Sequence, residues 1–182
     1  MSVRSIRFRL ESMNMVRWTA FTAWVTVMSS TSDSTASGEA IGGAHVGYAI
    51  GGSFAQQNSG LRHGLDLALL PQLLLVHHDG GGQGVESSSG LALGPSAIIG
   101  FGRTPDYLAF DFGYGLSTIV GGFVGAGPVY RFSSSWMPKG FGFEGRLAFD
   151  VLLCVAGLRI MNVFGDHSSE FAAMLFLGAG RF

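Results

Sequence analysis

The chain has 182 residues, of which 47% are hydrophobic and only 13% charged, against a usual charged share of roughly 25%. With a net charge of −1, Lys139 as the only lysine and no basic stripe, the sequence offers no electrostatic support for nucleic-acid binding. A single cysteine, Cys154, excludes an internal disulfide or a thiolate metal cluster. The 29 glycines disfavour a helical bundle, because Gly costs about 1 kcal/mol relative to Ala inside a helix.

The first forty residues have the layout of a secretory leader. A basic start is followed by an apolar run over 18–28, then by serines and threonines, with Ala36 and Ala40 as candidate cleavage positions. An extra β-hairpin is the alternative, because apolar and arginine residues alternate near the start of the chain. We therefore expect residues 1–40 to be a leader, or alternatively a hairpin, and residues 41–182 to be one β-domain.

From about His45 to Phe182, large apolar residues alternate with small or charged ones. Successive side chains of a strand point to opposite faces, so this rhythm predicts strands with one apolar face. Eight segments carry the rhythm, near 45–55, 61–76, 90–101, 106–117, 120–132, 141–151, 158–164 and 170–182.

Connections between these segments have turn chemistry, and two irregularities are predicted. Pro71 indicates a bulge or a break within the second segment. The apolar parity switches from odd numbers at Leu153 to even numbers at Leu158, which predicts a four-residue turn or a bulge near 154–157. Eight antiparallel strands with mostly short connections predict an all-β, up-and-down barrel of about eight strands.

The composition of the second face favours a barrel in a membrane over a barrel in water. That face is mostly Gly, Ala and Ser, with seven charges of mixed sign that suit a lumen: Arg62, Asp66, Asp111, Arg131, Glu144, Arg146 and Asp150. The apolar face is then expected to meet lipid, through Leu108, Phe110, Phe112, Tyr114, Phe141, Phe143, Leu147 and Phe149. A soluble, lipocalin-like ligand-binding barrel with its apolar face inward is the alternative.

On this pattern, residues 43 to 182 resemble the small outer-membrane β-barrel proteins of Gram-negative bacteria, the group that includes the transmembrane domain of outer membrane protein A. Phe182, Phe176 and Met174 resemble the terminal signal that the barrel-assembly machinery reads in that family, whereas Gly178 and Gly180 depart from it. The resemblance implies an outer-membrane location, with membrane lipid and the assembly machinery as partners. Family members act as structural or adhesion proteins, narrow solute pores or lipid-modifying enzymes.

Candidate chemistry in the chain is sparse. His167 and Ser169 resemble the His-x-Ser pair of outer-membrane lipid A deacylases, but the glutamate that those enzymes carry on a later strand has no counterpart after Glu170, and a polar turn is the simpler interpretation. His77 and His78 are more typical of a solvated loop edge than of a metal site. We expect no metal and no cofactor, a structural or loop-mediated binding role, and room for at most a small ligand in the lumen.

Overall fold

The computed structural model describes residues 40–55, 59–78, 87–117, 120–166 and 168–181, which form eight strands. In chain order the strands are β1 (Ala40–Ala55), β2 (Gly60–His78), β3 (Ser87–Gly100), β4 (Tyr107–Ser117), β5 (Val120–Arg131), β6 (Gly140–Val151), β7 (Cys154–Gly165) and β8 (Ser168–Arg181). Each strand pairs antiparallel with the next, and β8 pairs with β1, so the barrel is closed. The predicted all-β, up-and-down barrel of about eight strands is confirmed.

Side chains alternate between the inside and the outside of the barrel. In β6 the odd-numbered Phe141, Phe143 and Phe149 are exposed, while Glu144 and Arg146 are buried. The alternation follows from the two-residue period of a strand. It is the reverse of a soluble barrel, because the bulky apolar residues face outward and the charged residues face inward. Over the described ranges, no helix is long and apolar enough to cross a membrane.

The predicted irregularity at Pro71 shows on one side of β2. The backbone of β2 runs unbroken through Pro71, which stands opposite Gly42 of β1, but the paired residues of β2 and β3 skip from Ala68 to Gln72. The register between β2 and β3 also shifts between Leu74 and Val76. A proline in a continuous strand does not require a bulge at its own position, provided that its missing N–H is not needed by the neighbouring strand.

The predicted turn near 154–157 is wrong, and β7 begins at Cys154. Val151 pairs directly with Cys154, so the connection is the two residues Leu152 and Leu153. Residues that flank a two-residue hairpin turn lie on the same face, which switches the parity of the apolar residues without any bulge. The sequence signal was sound, but the turn that causes it is shorter and earlier than predicted.

The barrel has two different ends. At one end lie the β3–β4 connection, Phe101–Asp106, and the β5–β6 connection, Phe132–Lys139. We call this the loop end. The opposite end contains the first residue of β1, the last residue of β8 and the turn Leu152–Leu153, and we call it the turn end. Residues 1–39 and Phe182, which carry the predicted leader and assembly signal, lie outside the described residues.

Candidate functional site

Among the described side chains, the barrel interior holds nine buried charged residues. The structure places there the seven charges that the sequence assigned to the lumen, together with Arg159 and Glu170. Most of their ion pairs join strands that are not neighbours, for example β2 with β8 and β4 with β6, whereas Arg159 and Glu144 lie on the adjacent β7 and β6. Pairs between strands that are not neighbours can only form across the interior of the barrel, so the charges converge on its axis.

A central cluster surrounds Asp66 of β2. Its carboxylate Oδ1 lies 3.1 Å from Arg146 Nη2 and 3.1 Å from His45 Nε2, and Oδ2 lies 3.3 Å from Arg159 Nη1. Arg146 also donates from Nη1 to Asp111 Oδ2 at 3.3 Å. The Asp66 carboxylate of β2 is thus shared by two guanidinium groups, one on β6 and one on β7, and it connects these three strands across the interior.

Arg159 links the central cluster to a second carboxylate. Its Nη2 lies 2.6 Å and 2.8 Å from the two oxygens of Glu144 and donates to Ser96 Oγ at 2.8 Å. Charge-assisted hydrogen bonds of this kind are about twice as strong as neutral ones. They offset part of the cost of removing both ions from water.

A second cluster closes the loop end around Glu170. One oxygen, Oε2, accepts from Arg131 Nη1 at 2.8 Å and from the Tyr107 hydroxyl at 2.9 Å, and the other accepts from Arg62 Nε at 3.2 Å. Arg62 also lies 3.1 Å from the sulfur of Met137, which is only 3% exposed. The β5–β6 connection therefore folds over the barrel mouth and is tied to the charges beneath it.

Aromatic and aliphatic side chains fill the space around the charges. The ring of Phe176 stacks on His45 at 5.2 Å between centroids, and the guanidinium of Arg146 lies 4.9 Å from the centre of that ring. A Cβ on Gly157 would overlap the ring of Phe176, so this glycine makes room for it. An eight-stranded barrel has an interior just wide enough for side chains to fill, and here Arg, Phe and Met fill it.

The described outer surface of the strands is mostly apolar. All eight residues assigned to lipid are exposed, with Phe143 the most exposed of them at 64%. Among the described strand residues, Arg181 at the end of β8 is the one charged side chain that faces outward. An arginine at a barrel edge can extend toward polar headgroups.

The loop end carries the exposed polar and aromatic groups. The guanidinium of Arg103 lies 4.5 Å from the centre of the Trp136 ring and connects the two longer described connections. Lys139 is also exposed. The Tyr48 hydroxyl lies 2.7 Å from His63 Nδ1 on the outer face of β1 and β2. These groups form a mixed aromatic and cationic rim.

The predicted deacylase pair is only partly visible. His167 lies outside the described residues, and Ser169 is exposed near the start of β8. Glu170 points to the opposite face, where its carboxylate is held by two arginines. This carboxylate is therefore not available to orient a histidine beside Ser169. His77 and His78 lie on β2, but their side chains fall outside the described part of the chain.

Sequence reasoning missed His45, Arg159 and Glu170 as interior groups. Arg159 lies between Leu158 and Ile160, both of which belong to the outward parity of β7, so the correct turn position would have revealed it. Glu170 follows an exposed serine on β8 and is assigned inward by the same rule. His45 is assigned inward by the same rule, because Tyr48 and Ile50 belong to the outward parity of β1.

No protein-family profile matches the chain, and no curated protein matches it in sequence. Among solved structures, it is similar to the crystal structure of Ail, the attachment invasion locus protein of Yersinia pestis, with 14% identity, a TM-score of 0.35, and coverage of 78% of this chain and 99% of Ail. It is also similar to Ail in complex with the heparin analogue sucrose octasulfate, with 14% identity, a TM-score of 0.36, and coverage of 76% and 97%.

Proposed function

We propose that this chain is an integral outer-membrane β-barrel protein, anchored in membrane lipid, with a structural or loop-mediated binding role. One observation carries the proposal: apart from Arg181 at the end of β8, the charges of the described strands are gathered inside the barrel, while leucines, phenylalanines and tyrosines cover the outside. In water this arrangement would expose a large continuous apolar surface, which soluble monomers rarely do.

The energetics of lipid support the same conclusion. A closed barrel satisfies every strand hydrogen bond internally, which is what hydrocarbon requires of a spanning β-structure. An arginine facing lipid at the midplane would cost about 2–4 kcal/mol, whereas the interior arginines of this barrel each have a carboxylate partner. The resemblance of residues 43 to 182 to small outer-membrane barrels supports the outer membrane as the location and the barrel-assembly machinery as a partner.

A binding role is assigned to the loop end. The longer described connections meet there, and they present the stacked Arg103 and Trp136 together with Lys139. Outer-membrane barrels carry their longer loops on the outer side and short turns on the periplasmic side. The loop end would then face outward, and the first residue of β1, the last residue of β8 and the β2–β3 connection, 79–86, would lie on the periplasmic side.

The filled interior does not favour the alternatives of a solute pore or a ligand held in the lumen. The central cluster and the Glu170 cluster obstruct the axis at two levels. The lipocalin-like alternative requires an apolar interior, and the residues around Asp66 are ionic.

The proposal is tested by cell fractionation and gel migration with and without boiling. A folded barrel in the membrane fraction is expected to shift on boiling. The variant Leu147→Arg, near the middle of β6 on the outer face, should lower the free energy of unfolding from the membrane by about 2–4 kcal/mol. The variant Phe132→Arg, just beyond the end of β5, should lower it by at most about 1 kcal/mol.

A chain that stays in the soluble fraction, or two arginine variants that behave alike, would contradict membrane insertion. Both variants place the same charge at an exposed apolar position, and Phe132→Arg also loses a ring contact with Tyr130, so the larger loss expected for Leu147→Arg comes from its depth.

A further inference from the structure

We propose that the β6–β7 turn, Leu152–Leu153, lies in the hydrocarbon of the membrane and not in the water beyond the barrel. The turn would extend the lipid-facing surface around the edge of the turn end. This inference rests on the proposed membrane location and goes beyond it, because turns of a transmembrane barrel normally project into water.

Among the described residues, the turn is the most exposed apolar feature at its end of the barrel. Leu152 is 79% exposed and Leu153 is 64% exposed. The flanking Val151 and Cys154 are exposed as well and pair with each other. An isolated exposed leucine needs no explanation, but four consecutive exposed apolar residues at a turn do.

The backbone of the turn makes this composition unusual. Leu152 has φ of 49° and Leu153 has φ of 71°, the left-handed conformation that two-residue hairpin turns require. Asn and Gly adopt it readily, whereas a bulky side chain is strained there. The turn is also ordered by β8, since the Gly180 N–H donates to the Leu153 carbonyl at 2.9 Å. Leucine at both positions is unfavourable for the turn itself, so its benefit must come from the surroundings.

The surroundings that fit are acyl chains, because the turn continues the lipid-facing surface without interruption. In the row of paired residues nearest the turn, Val120, Val151, Cys154 and Ala179 are all exposed and lie on four adjacent strands. The next row toward the loop end adds Phe149 and Leu177, also exposed. Asp150, beside the turn in sequence, is buried on the inner side. Among these described residues no polar side chain lies between the turn and the outer face. The outward charge at this end, Arg181, follows the Gly180 that bonds to the turn, and its long side chain can extend to the headgroups.

Cys154 is the only cysteine of the chain and reports directly on the turn. The full-length chain, folded in phosphatidylcholine vesicles, is treated with a polar maleimide supplied on both sides of the bilayer by freeze–thaw. Two controls carry Cys154→Ser together with either Ser135→Cys, exposed at the loop end, or Ile160→Cys, on the outer face of β7. Maleimides react with the thiolate, which hydrocarbon excludes, so Cys154 should react at least about tenfold more slowly than Ser135→Cys.

The controls separate failure of this inference from failure of the proposed function. If Cys154 reacts as fast as Ser135→Cys while Ile160→Cys stays protected, the barrel is in the membrane but its turn is in water, and the inference is overturned. If Ile160→Cys also reacts fast, membrane insertion itself is wrong. Protection of Cys154 that disappears when the protein is diluted in lipid would show that a second copy covers the turn, which also overturns the inference.

A second measurement distinguishes a turn in hydrocarbon from a turn in water, because the two locations predict opposite changes in the urea midpoint of unfolding. The combined change Leu152→Asn and Leu153→Gly supplies the residues that a two-residue hairpin prefers. If the turn were in water, the change would raise the urea midpoint of unfolding from vesicles. We expect the midpoint to fall, because the variant loses the favourable placement of two leucine side chains in the hydrocarbon. An unchanged or higher midpoint would overturn the inference.

Discussion

At the scale of single residues, the interior ion pairs matter for stability mainly because the loss of one partner leaves the other charge buried and uncompensated. Replacing a buried ion pair by apolar groups is often neutral, but removing one partner leaves a charge without compensation in a low-dielectric interior. Glu170 is a sensitive position, because one carboxylate serves Arg62, Arg131 and the Tyr107 hydroxyl.

Glu170→Ala is therefore expected to lower the free energy of unfolding by about 3–5 kcal/mol, since two buried guanidinium groups lose their shared partner. Glu170→Gln keeps the shape and one acceptor and should lose a smaller amount, about 1–3 kcal/mol. The fraction of folded barrel in vesicles, measured against urea by gel migration without boiling, reports both values. An Ala variant as stable as the wild type would mean that water replaces the carboxylate.

Which residues face inward could be predicted from the sequence at this scale, but their partners could not. Parity along a strand assigns Arg146 and Asp111 to the same side without any structure. Their contact, however, joins β6 to β4 across the axis, and it depends on the register of every strand between them. Arg159 was missed because the turn preceding β7 was misplaced by a few residues.

At the scale of elements, glycines determine how closely neighbouring strands can approach. A Cβ on Gly142, which faces inward on β6, would overlap the backbone carbonyl of Asn162 on β7. A Cβ on Gly145, on the outer face of the same strand, would meet nothing within 4 Å. Alanine variants at the two positions therefore distinguish a steric requirement for glycine from the general destabilising effect of glycine in a strand.

Gly142→Ala should destabilise the barrel by about 1–3 kcal/mol, because the β6 and β7 backbones must move apart. Gly145→Ala should be neutral or stabilising by up to about 1 kcal/mol, because it restricts only the unfolded chain. Urea unfolding from vesicles compares the two alanine variants directly. Equal losses for both would show that the close approach at Gly142 is not a constraint.

The strand rhythm predicted the number and faces of the elements better than their connections. Alternation over many residues identifies β6 without ambiguity, since its outer phenylalanines and inner charges never share a parity. Turns depend on two residues and carry little signal, and Leu152–Leu153 lacks the Asn or Gly that normally marks a hairpin. Pro71 indicated a bulge or a break, and there the strand itself is continuous while its pairing with β3 skips from Ala68 to Gln72.

At the scale of the whole molecule, the interior is obstructed twice along the axis. Met137 and the Glu170 cluster cover the loop end, and the cluster around Asp66 with Phe176 crosses the middle. The described barrel is thus a solid scaffold between its two ends, in contrast to the wide barrels that enclose aqueous channels.

The purified protein is therefore expected to be electrically silent in planar bilayers. Met137→Ser should remain silent as well, because it opens only the loop end and leaves the central cluster in place. Insertion is verified in the same preparation by the gel shift on boiling, so that silence cannot come from protein outside the bilayer. Reproducible unit steps from the folded wild type, absent from a boiled sample, would contradict the closed interior. Steps from Met137→Ser alone would instead show that the loop-end obstruction is the sole barrier and that the ionic cluster around Asp66 admits water and ions.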